Sequence, residues 1–371
     1  MTMRVLVLGG YGQFGRRIVD SLSGDADMSV IVAGRDIARA QALCDALKAN
    51  ARATLSAARI DIARDYDAAL AQLRPDLVIH TAGPFQSQDY DVARTTLRFG
   101  AHYVDLADGR AFVEGFDALD AEAKAAGRWA ISGASSVPGL SGAVLAAHAD
   151  RFASMDVVEA GINPGNRTER GLATTQAILG YVGRPFPMLR DGEWRHVHGW
   201  QSLRRVQFDG VGARWFARCE VPDLGVLPRR WPQLRTCDFR AGLELRRMHF
   251  GLWALGWAVR GGLLRRLPGR ARQLLAISNH WLDRGSDTGV MYVDMAGRGH
   301  DGNALRLRWT IVARDGDGPR IPATAAVVLA RKLARGALPG SGACACLDLF
   351  TLDEFVDALA PFAITTMLQA R

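Results

Sequence analysis

The chain holds only three lysines, Lys48, Lys124 and Lys332, beside 43 arginines in 371 residues. None of its six tyrosines is followed by Lys at the fourth position, so a Tyr-x-x-x-Lys proton relay, in which the ammonium lowers the phenol's pKa, is excluded. The five cysteines (Cys44, Cys219, Cys237, Cys344 and Cys346) are odd in number. They lack C-x-x-C spacing and paired histidines, which argues against a disulfide framework and against zinc. Cys344 and Cys346 alternate as strand neighbours and read as buried small hydrophobes. Met1 to Leu8 has no basic segment leading into a long apolar one, so no secretory signal is expected and the location is expected to be cytoplasmic. The longest apolar stretch, Phe250 to Leu264, is too short to span a bilayer and is interrupted by Arg260. Repeats and low-complexity linkers are also missing.

What is present begins with a strand, Val5 to Leu8, running into Gly9-Gly10-Tyr11-Gly12-Gln13-Phe14-Gly15. With 40 glycines in the chain, a G-x-G-x-x-G triplet arises by chance about half a time, so its setting decides. The apolar run before it and the helical periodicity of Phe14, Ile18, Val19 and Leu22 after it define a dinucleotide-binding turn. Gly10 permits the tight turn, Gly12 admits the pyrophosphate, and Gly15 lets helix and strand approach. The helix N-terminus offers its amides to the phosphates.

A second strand, Met28 to Ala33, ends in Gly34-Arg35-Asp36. Arg35 lies 20 residues beyond Gly15, where an NAD site carries an acid for the ribose and an NADP site an arginine for the 2′-phosphate. NADP is therefore preferred to NAD. The competing assignment gives Asp36 the ribose, although Asp36 also suits the N-cap of a helix Ile37 to Lys48.

Strand-like and helix-like segments then alternate: Thr54 to Ile60, Tyr66 to Leu73, Asp76 to Thr81, Asp89 to Phe99, Ala101 to Leu106, Ala111 to Ala126, Trp129 to Ser132 and Ser141 to Phe152. This predicts an α/β chain with a Rossmann-type doubly wound parallel sheet over residues 1–150. Residues 151–371 open with a strand Met155 to Ile162. Strand-like runs with few helices follow, including a hairpin of Gly289 to Ala296 with Asn303 to Ala313. Helices Ile321 to Ala334 and Thr351 to Ala360 close the chain, the C-terminal helix being free to pack back on the first domain. A second, mixed α+β substrate domain is expected there.

The series Val5 to Gly15, Ala33-Gly-Arg-Asp36, Thr81-Ala-Gly-Pro-Phe85, His102-Tyr-Val-Asp105 and Gly133-Ala-Ser-Ser-Val-Pro-Gly-Leu140 resembles the saccharopine dehydrogenase-like family. Gly285-Ser-Asp and Gly316-Asp-Gly-Pro-Arg-Ile-Pro-Ala323 extend the resemblance to bacterial members without an assigned substrate. It implies NADP-dependent hydride chemistry between a dinucleotide domain and a mixed-sheet domain. The lysine–histidine pair expected of the lysine-forming enzymes is missing, so saccharopine itself is not expected as substrate.

Ala82, Gly83, Pro84 and Phe85 follow the fourth strand, where Gly83 lets a cofactor pass close to backbone, or the segment is a plain turn. Pro138, with Ser135, Ser136 and Ser141 nearby, precedes a helix N-terminus aimed at nicotinamide or a substrate carboxylate, although Ser141 equally suits a cap. Proton-donor candidates at strand ends are Asp105 first, then His102 and Tyr103, with His80 and Asp108 behind them. Asp105 equally suits a carboxylate capping the following loop, and His80 a satisfied core histidine.

The net charge of +8 is lopsided: residues 1–150 hold 15 basic and 18 acidic side chains, residues 151–371 hold 31 and 20. Arg184 to Arg272 carries 18 basic and 7 acidic residues and six of the nine tryptophans. Its pairs Arg204-Arg205, Arg229-Arg230, Arg246-Arg247 and Arg265-Arg266 suit anions or an anionic membrane surface, or are solvated faces of an arginine-rich chain. Phe250 to Leu264 suits an amphipathic helix packed on the substrate domain, a membrane surface or a lipid-like substrate. The expected function is hydride transfer to or from a C=N, C=O or activated C=C bond of a small, anionic or lipid-like molecule. A non-catalytic NADP-binding module and a peripheral membrane oxidoreductase are the alternatives. No nucleic-acid partner is expected, and a homodimer is the expected assembly.

Overall fold

A computed structural model describes residues 2–264 and 267–371; the pair Arg265-Arg266 lies outside them. In chain order the elements are β1 (Met3–Leu8), α1 (Gly15–Ser23), β2 (Met28–Gly34), α2 (Ile37–Leu47), β3 (Thr54–Arg59), α3 (Tyr66–Leu73), β4 (Leu77–His80), α4 (Asp91–Arg98), β5 (His102–Asp105), α5 (Arg110–Glu114), α6 (Asp120–Ala126), β6 (Trp129–Ser132) and α7 (Ser141–His148). There follow β7 (Phe152–Asn163), α8 (Leu172–Tyr181), β8 (Pro185–Arg190), β9 (Glu193–His198), β10 (Arg204–Phe208), β11 (Gly212–Arg218), α9 (Asp223–Arg230), β12 (Thr236–Ala241), α10 (Arg246–Arg260) and α11 (Ala271–Asn279). The last elements are β13 (Gly289–Gly299), β14 (Ala304–Ala313), α12 (Arg320–Ala334), β15 (Gly342–Ala345), α13 (Leu352–Leu359) and β16 (Ile364–Ala370).

Two compact units form: residues 1–140 with 319–359, and residues 141–318 with 360–371. In the first, seven parallel strands stand in the order β15-β6-β5-β4-β1-β2-β3. Val5, Leu6, Val7 and Leu8 are all buried. Such an unbroken apolar run is what a parallel strand covered on both faces requires. On one face Leu6, Leu8, Ile31 and Val78 pack with Tyr66 and Leu70 of α3. Within this unit α12 lies against α1, held by ion pairs from Arg331 to Asp25 at 2.9 Å and from Arg320 to Asp20 at 2.8 Å.

The second unit is built on a mixed sheet of order β10-β11-β12-β7-β13-β14-β16, in which only β12 and β7 run parallel. One cross-strand row of this sheet is charged. Arg308 is paired with Asp294, Asp294 with Glu159, and Glu159 with Asp238 on successive strands. Arg308 clamps Asp294 through two 2.5 Å bonds, Arg204 binds Glu159, and Arg240 reaches Asp238 at 2.7 Å.

Three elements differ from the sequence expectation. The helix expected over Ala111 to Ala126 is broken into α5, a 3-10 turn Phe116–Leu119, and α6. The Tyr90 hydroxyl donates to the Phe112 carbonyl at 2.9 Å, competing with the next helical bond, and Gly115 ends α5 beside that hydroxyl. The helix expected to run from Ser141 to Phe152 stops at His148, because Phe152 already starts β7. Helices do not close the chain: β16 follows α13 and pairs with β14, and four helices (α8 to α11) interrupt the strands between β7 and β13. Cys346 is buried, whereas Cys344 is only half-buried.

Arg308→Leu should destabilise the second unit by about 3 kcal/mol, because among the described residues Asp294 then keeps no ion pair closer than Arg204, 4.0 Å away. Urea unfolding followed by tryptophan fluorescence checks this, and a loss below about 1 kcal/mol would show that the row is not a structural unit.

Candidate active site at the carboxyl edge of the parallel sheet

The glycine turn is shaped by backbone meeting backbone. A Cβ on Gly15 would stand 2.2 Å from the Gly9 carbonyl oxygen, and one on Gly10 would stand 2.9 Å from both the Val7 oxygen and Val32 Cγ1. Gly9 itself holds φ +74°. The Gly12 amide donates to Gly9 at 2.8 Å and the Gly10 amide to Ala33 at 3.0 Å, locking the turn onto β1 and β2. The first turn of α1 contains no acid, so its amides and dipole present an uncompensated positive end, with Gln13 and Phe14 leading into it. Fit to a pyrophosphate is therefore good: the space beside Gly12 is cleared by the missing side chain, whose Cβ would meet only the Gly9 oxygen, at 3.0 Å.

At the end of β2, Asp36 is committed to its helix: Oδ1 accepts the amides of Ala38 at 3.0 Å and Arg39 at 3.2 Å. Tyr11 covers Gly34, where a Cβ would fall 2.5 Å from the ring, and the Asp36 amide donates to its hydroxyl at 2.9 Å. Arg35 is exposed and makes no ion pair among the described residues. The Arg39 guanidinium lies 4.6 Å from the Tyr11 ring centroid. Arg39 was not singled out in the sequence, although it stands one helical turn after Arg35, and that spacing was the available signal.

At the end of β4 the Thr81 hydroxyl donates to Leu8 at 2.8 Å, and Gln88 Nε2 donates to the carbonyls of Ala82 and Pro84 at 2.9 and 3.1 Å. Ala82 to Phe85 is thus a fixed turn, with Phe85 buried against the His80 ring. His80 is fully buried, its Nδ1 is hydrogen-bonded to the Tyr103 hydroxyl at 3.0 Å, and its Nε2 has no partner. Burial holds its imidazole down to about 4, so it is neutral.

Of the three proton-donor candidates, Tyr103 and Asp105 meet, the phenol bonding to the carboxyl, and His102 stands apart. His102 begins β5 opposite Leu77, at the amino edge of the sheet, and its Nδ1 accepts the Trp129 amide at 2.9 Å. Tyr103 is buried among His80 and Phe116, and burial pushes its phenol well above the usual range. Asp105 ends β5 with no exposed surface. Its Oδ1 accepts from the Ala107 amide at 2.9 Å, the Ser132 hydroxyl at 2.9 Å and the Gly133 amide at 2.8 Å, and the Tyr103 hydroxyl also bonds to the carboxyl. Burial raises its carboxyl to about 6, partly offset by those bonds. As placed, Asp105 ties the ends of β5 and β6 together, and Asp108 takes the Gln86 amide at 3.0 Å in the loop beyond. Gly133, at φ +76°, leaves room for the Pro138 ring, 2.6 Å from where its Cβ would be; the Leu140 amide then closes on Ser135 at 3.1 Å. Ser136 is buried in that turn.

In the second unit Asp223 stands outside every motif read from the sequence. It opens α9, 1% exposed, and neither carboxylate oxygen makes a well-formed hydrogen bond. Burial pushes its carboxyl up to about 7, and the Ser141 hydroxyl offsets only part of this.

Residues 5–131 match the model of the saccharopine dehydrogenase NADP binding domain. The glycine turn and parallel sheet are thus an NADP-binding domain. Over 100% of both chains the fold resembles that of apo saccharopine dehydrogenase (L-Glu forming) from Saccharomyces cerevisiae, at 14% identity and TM-score 0.68. Looser similarities are to a meso-dapdh mutant with DAP from Clostridium tetani (13% identity, 97% and 99% coverage, TM-score 0.47) and to amine dehydrogenase from Mycobacterium smegmatis (12%, 95% and 96%, TM-score 0.45). Among curated proteins there is no sequence match. Among the described residues, no helix is long and apolar enough to cross a membrane.

The raised pKa of Asp223 has a sign. The folded state holds the proton between about pH 4 and pH 7 while the unfolded state does not, so stability falls as pH rises through that window. Asp223→Asn removes the slope, and its stability relative to the parent should grow by about 3 kcal/mol between pH 5 and pH 8. Urea midpoints at the two pH values check it; a flat or shrinking difference would place the carboxylate in solvent.

Proposed function

We propose that the chain transfers hydride between NADP and a C=N, C=O or activated C=C bond of a small substrate. The observation that carries this is convergence: Gly9 to Gly15, Gly34 to Asp36, Ala82 to Phe85, Asp105 to Asp108 and Gly133 to Pro138 all leave the carboxyl ends of strands of one parallel sheet. A crevice outside those ends is where an open α/β sheet binds its ligand. The cofactor supplies hydride exchange at its nicotinamide when bound. The protein's part is to receive the pyrophosphate on the amides of Gly12 and the start of α1, and the 2′-phosphate on Arg35 and Arg39. Ala82 to Phe85 and the turn containing Ser135 and Pro138 form rigid walls. Asp105 is a positioning residue that orders the Ala107 and Gly133 amides, because its carboxylate lies wholly inside.

Titration of tryptophan fluorescence with NADPH and NADH tests the cofactor assignment. NADPH should bind more tightly, and Arg35→Ala should weaken NADPH by about tenfold to a hundredfold while leaving NADH within about twofold. Equal losses for both nucleotides would remove Arg35 from the 2′-phosphate.

Asp105→Asn keeps an acceptor for the two amides and should retain NADPH oxidation with an unchanged pH profile across a panel of imines and carbonyls, whereas Asp105→Ala should lose it. Abolished turnover in the Asn variant with nucleotide binding intact would make Asp105 the proton donor instead.

A further inference from the structure

The second unit contains a cavity of about 610 Å³ among α8, α10 and α11, within the range of about 300–1,000 Å³ that small-molecule sites occupy. Its wall is aliphatic, formed by Leu179, Leu252, Leu255, Leu274 and Ile277. Its rim is cationic, formed by Arg170, Arg246, Arg247 and Arg284. Arg170 is tied to Ser278 Oγ at 2.7 Å and to Asn166 Oδ1 at 2.5 Å, and Arg247 lies 5.8 Å from the Trp281 ring centroid. Arg246 and Arg284 make no ion pair among the described residues. Glu244, the neighbouring acid, is already occupied by Arg214 at 3.1 Å and by the Ser286 amide and hydroxyl.

The start of α10 adds an independent sign of an anion. Arg246 and Arg247 stand in its first turn, where the helix dipole disfavours cations, and the turn has neither an acid nor a side-chain cap. Four features meet here: an aliphatic wall, guanidiniums of Arg246 and Arg284 without an ion pair among the described residues, an uncapped helix start, and apolar surface left exposed at Ile277 (60%) and Trp281 (36%). A ligand neutralising the arginines while covering the leucines satisfies all of them.

We infer that this cavity binds a single aliphatic chain bearing a terminal anionic group, with the carboxylate or phosphate at Arg246 and Arg284 and the chain against Leu252, Leu255 and Leu274. The inference goes beyond the hydride reading and does not rest on it, since binding is measured without nucleotide.

Isothermal titration of the full chain with monomeric dodecanoate, dodecyl phosphate and dodecanol tests it. Both anions should bind saturably at one site, the alcohol at least tenfold more weakly, and decanoate roughly tenfold more weakly than dodecanoate, as two fewer buried methylenes require. Arg246→Ala with Arg284→Ala should weaken the anions tenfold or more and leave the alcohol unchanged. Gly251 lines the cavity with nothing within 4 Å of its would-be Cβ, so a side chain can start there without striking its neighbours, and Gly251→Phe, introduced to occupy the cavity, should abolish binding of all three at an unchanged Tm. Equal affinity for alcohol and acid, or binding that survives Gly251→Phe, would overturn the assignment. So would salt-sensitive binding to phosphatidylglycerol vesicles without binding of monomeric dodecanoate, which would make this face a membrane surface. NADPH titration of the same variants should be unaltered, which separates this outcome from any failure of the cofactor reading.

Discussion

The close approach of α1 to the end of β1 is the constraint on which the first unit depends. A helix can begin 2.2 Å from a carbonyl oxygen, measured to the Cβ it lacks, only where that residue is Gly15. That approach points the amide end of α1 across the carboxyl ends of the strands. It also sets the placement of α1, on which Asp20, and just beyond whose end Asp25, receive Arg320 and Arg331 from α12. A segment more than 300 residues away in sequence is thereby recruited into the same unit, and β15 follows it onto the sheet beside β6. Loss of the turn would therefore affect both the nucleotide site and the packing of α12.

The other side of the crevice rests on a different device. Asp105 joins β5 to β6 by taking the Ser132 hydroxyl and the Gly133 amide on one oxygen, while its own carbonyl takes the Ala134 amide at 2.8 Å. With Gln88 holding the carbonyls of Ala82 and Pro84, the walls are set by side-chain bonds to backbone, whose partners cannot drift with solvent. Three bonds to a charged acceptor offset part of its desolvation, which is why burial lifts this carboxyl only to about 6 whereas the poorly bonded Asp223 reaches about 7.

The parallel unit was legible because its strands are buried on both faces, so Val5 to Leu8, Met28 to Ala33 and Leu77 to His80 are nearly continuous apolar runs between turn residues. The second unit hides its pattern. The strand β9, Glu193–His198, is mostly exposed, and β16 has little buried surface, so neither carries a period-two signal. Arg308 and Asp294 look like surface residues in sequence and become interior only when β14 and β13 set them side by side. The same reasoning separates the site residues. Asp36 as a cap follows from local spacing, and its two amide bonds are local. The burial of Asp223 is set by tertiary packing far from it in sequence, and nothing adjacent to it announces that environment.

The arginine excess of the second half then divides into two populations with different physics. Arg204, Arg218, Arg240 and Arg308 each meet a carboxylate of Glu159, Asp238 or Asp294 across the strands, and so cement the sheet. Planar guanidiniums suit that role better than ammoniums, because the fork of Arg308 takes both oxygens of Asp294 while its plane lies 4.7 Å from the Tyr292 ring centroid. Among the described residues Arg246, Arg247 and Arg284 make no ion pair and line a cavity together with leucines. A solvated face of an arginine-rich chain would alternate its charges with acids, as α6 does when Lys124 meets Asp120 at 2.6 Å. The absence of an acid in the first turn of α10, beside an aliphatic cavity, sets that surface apart from both the charged sheet and an ordinary solvated helix.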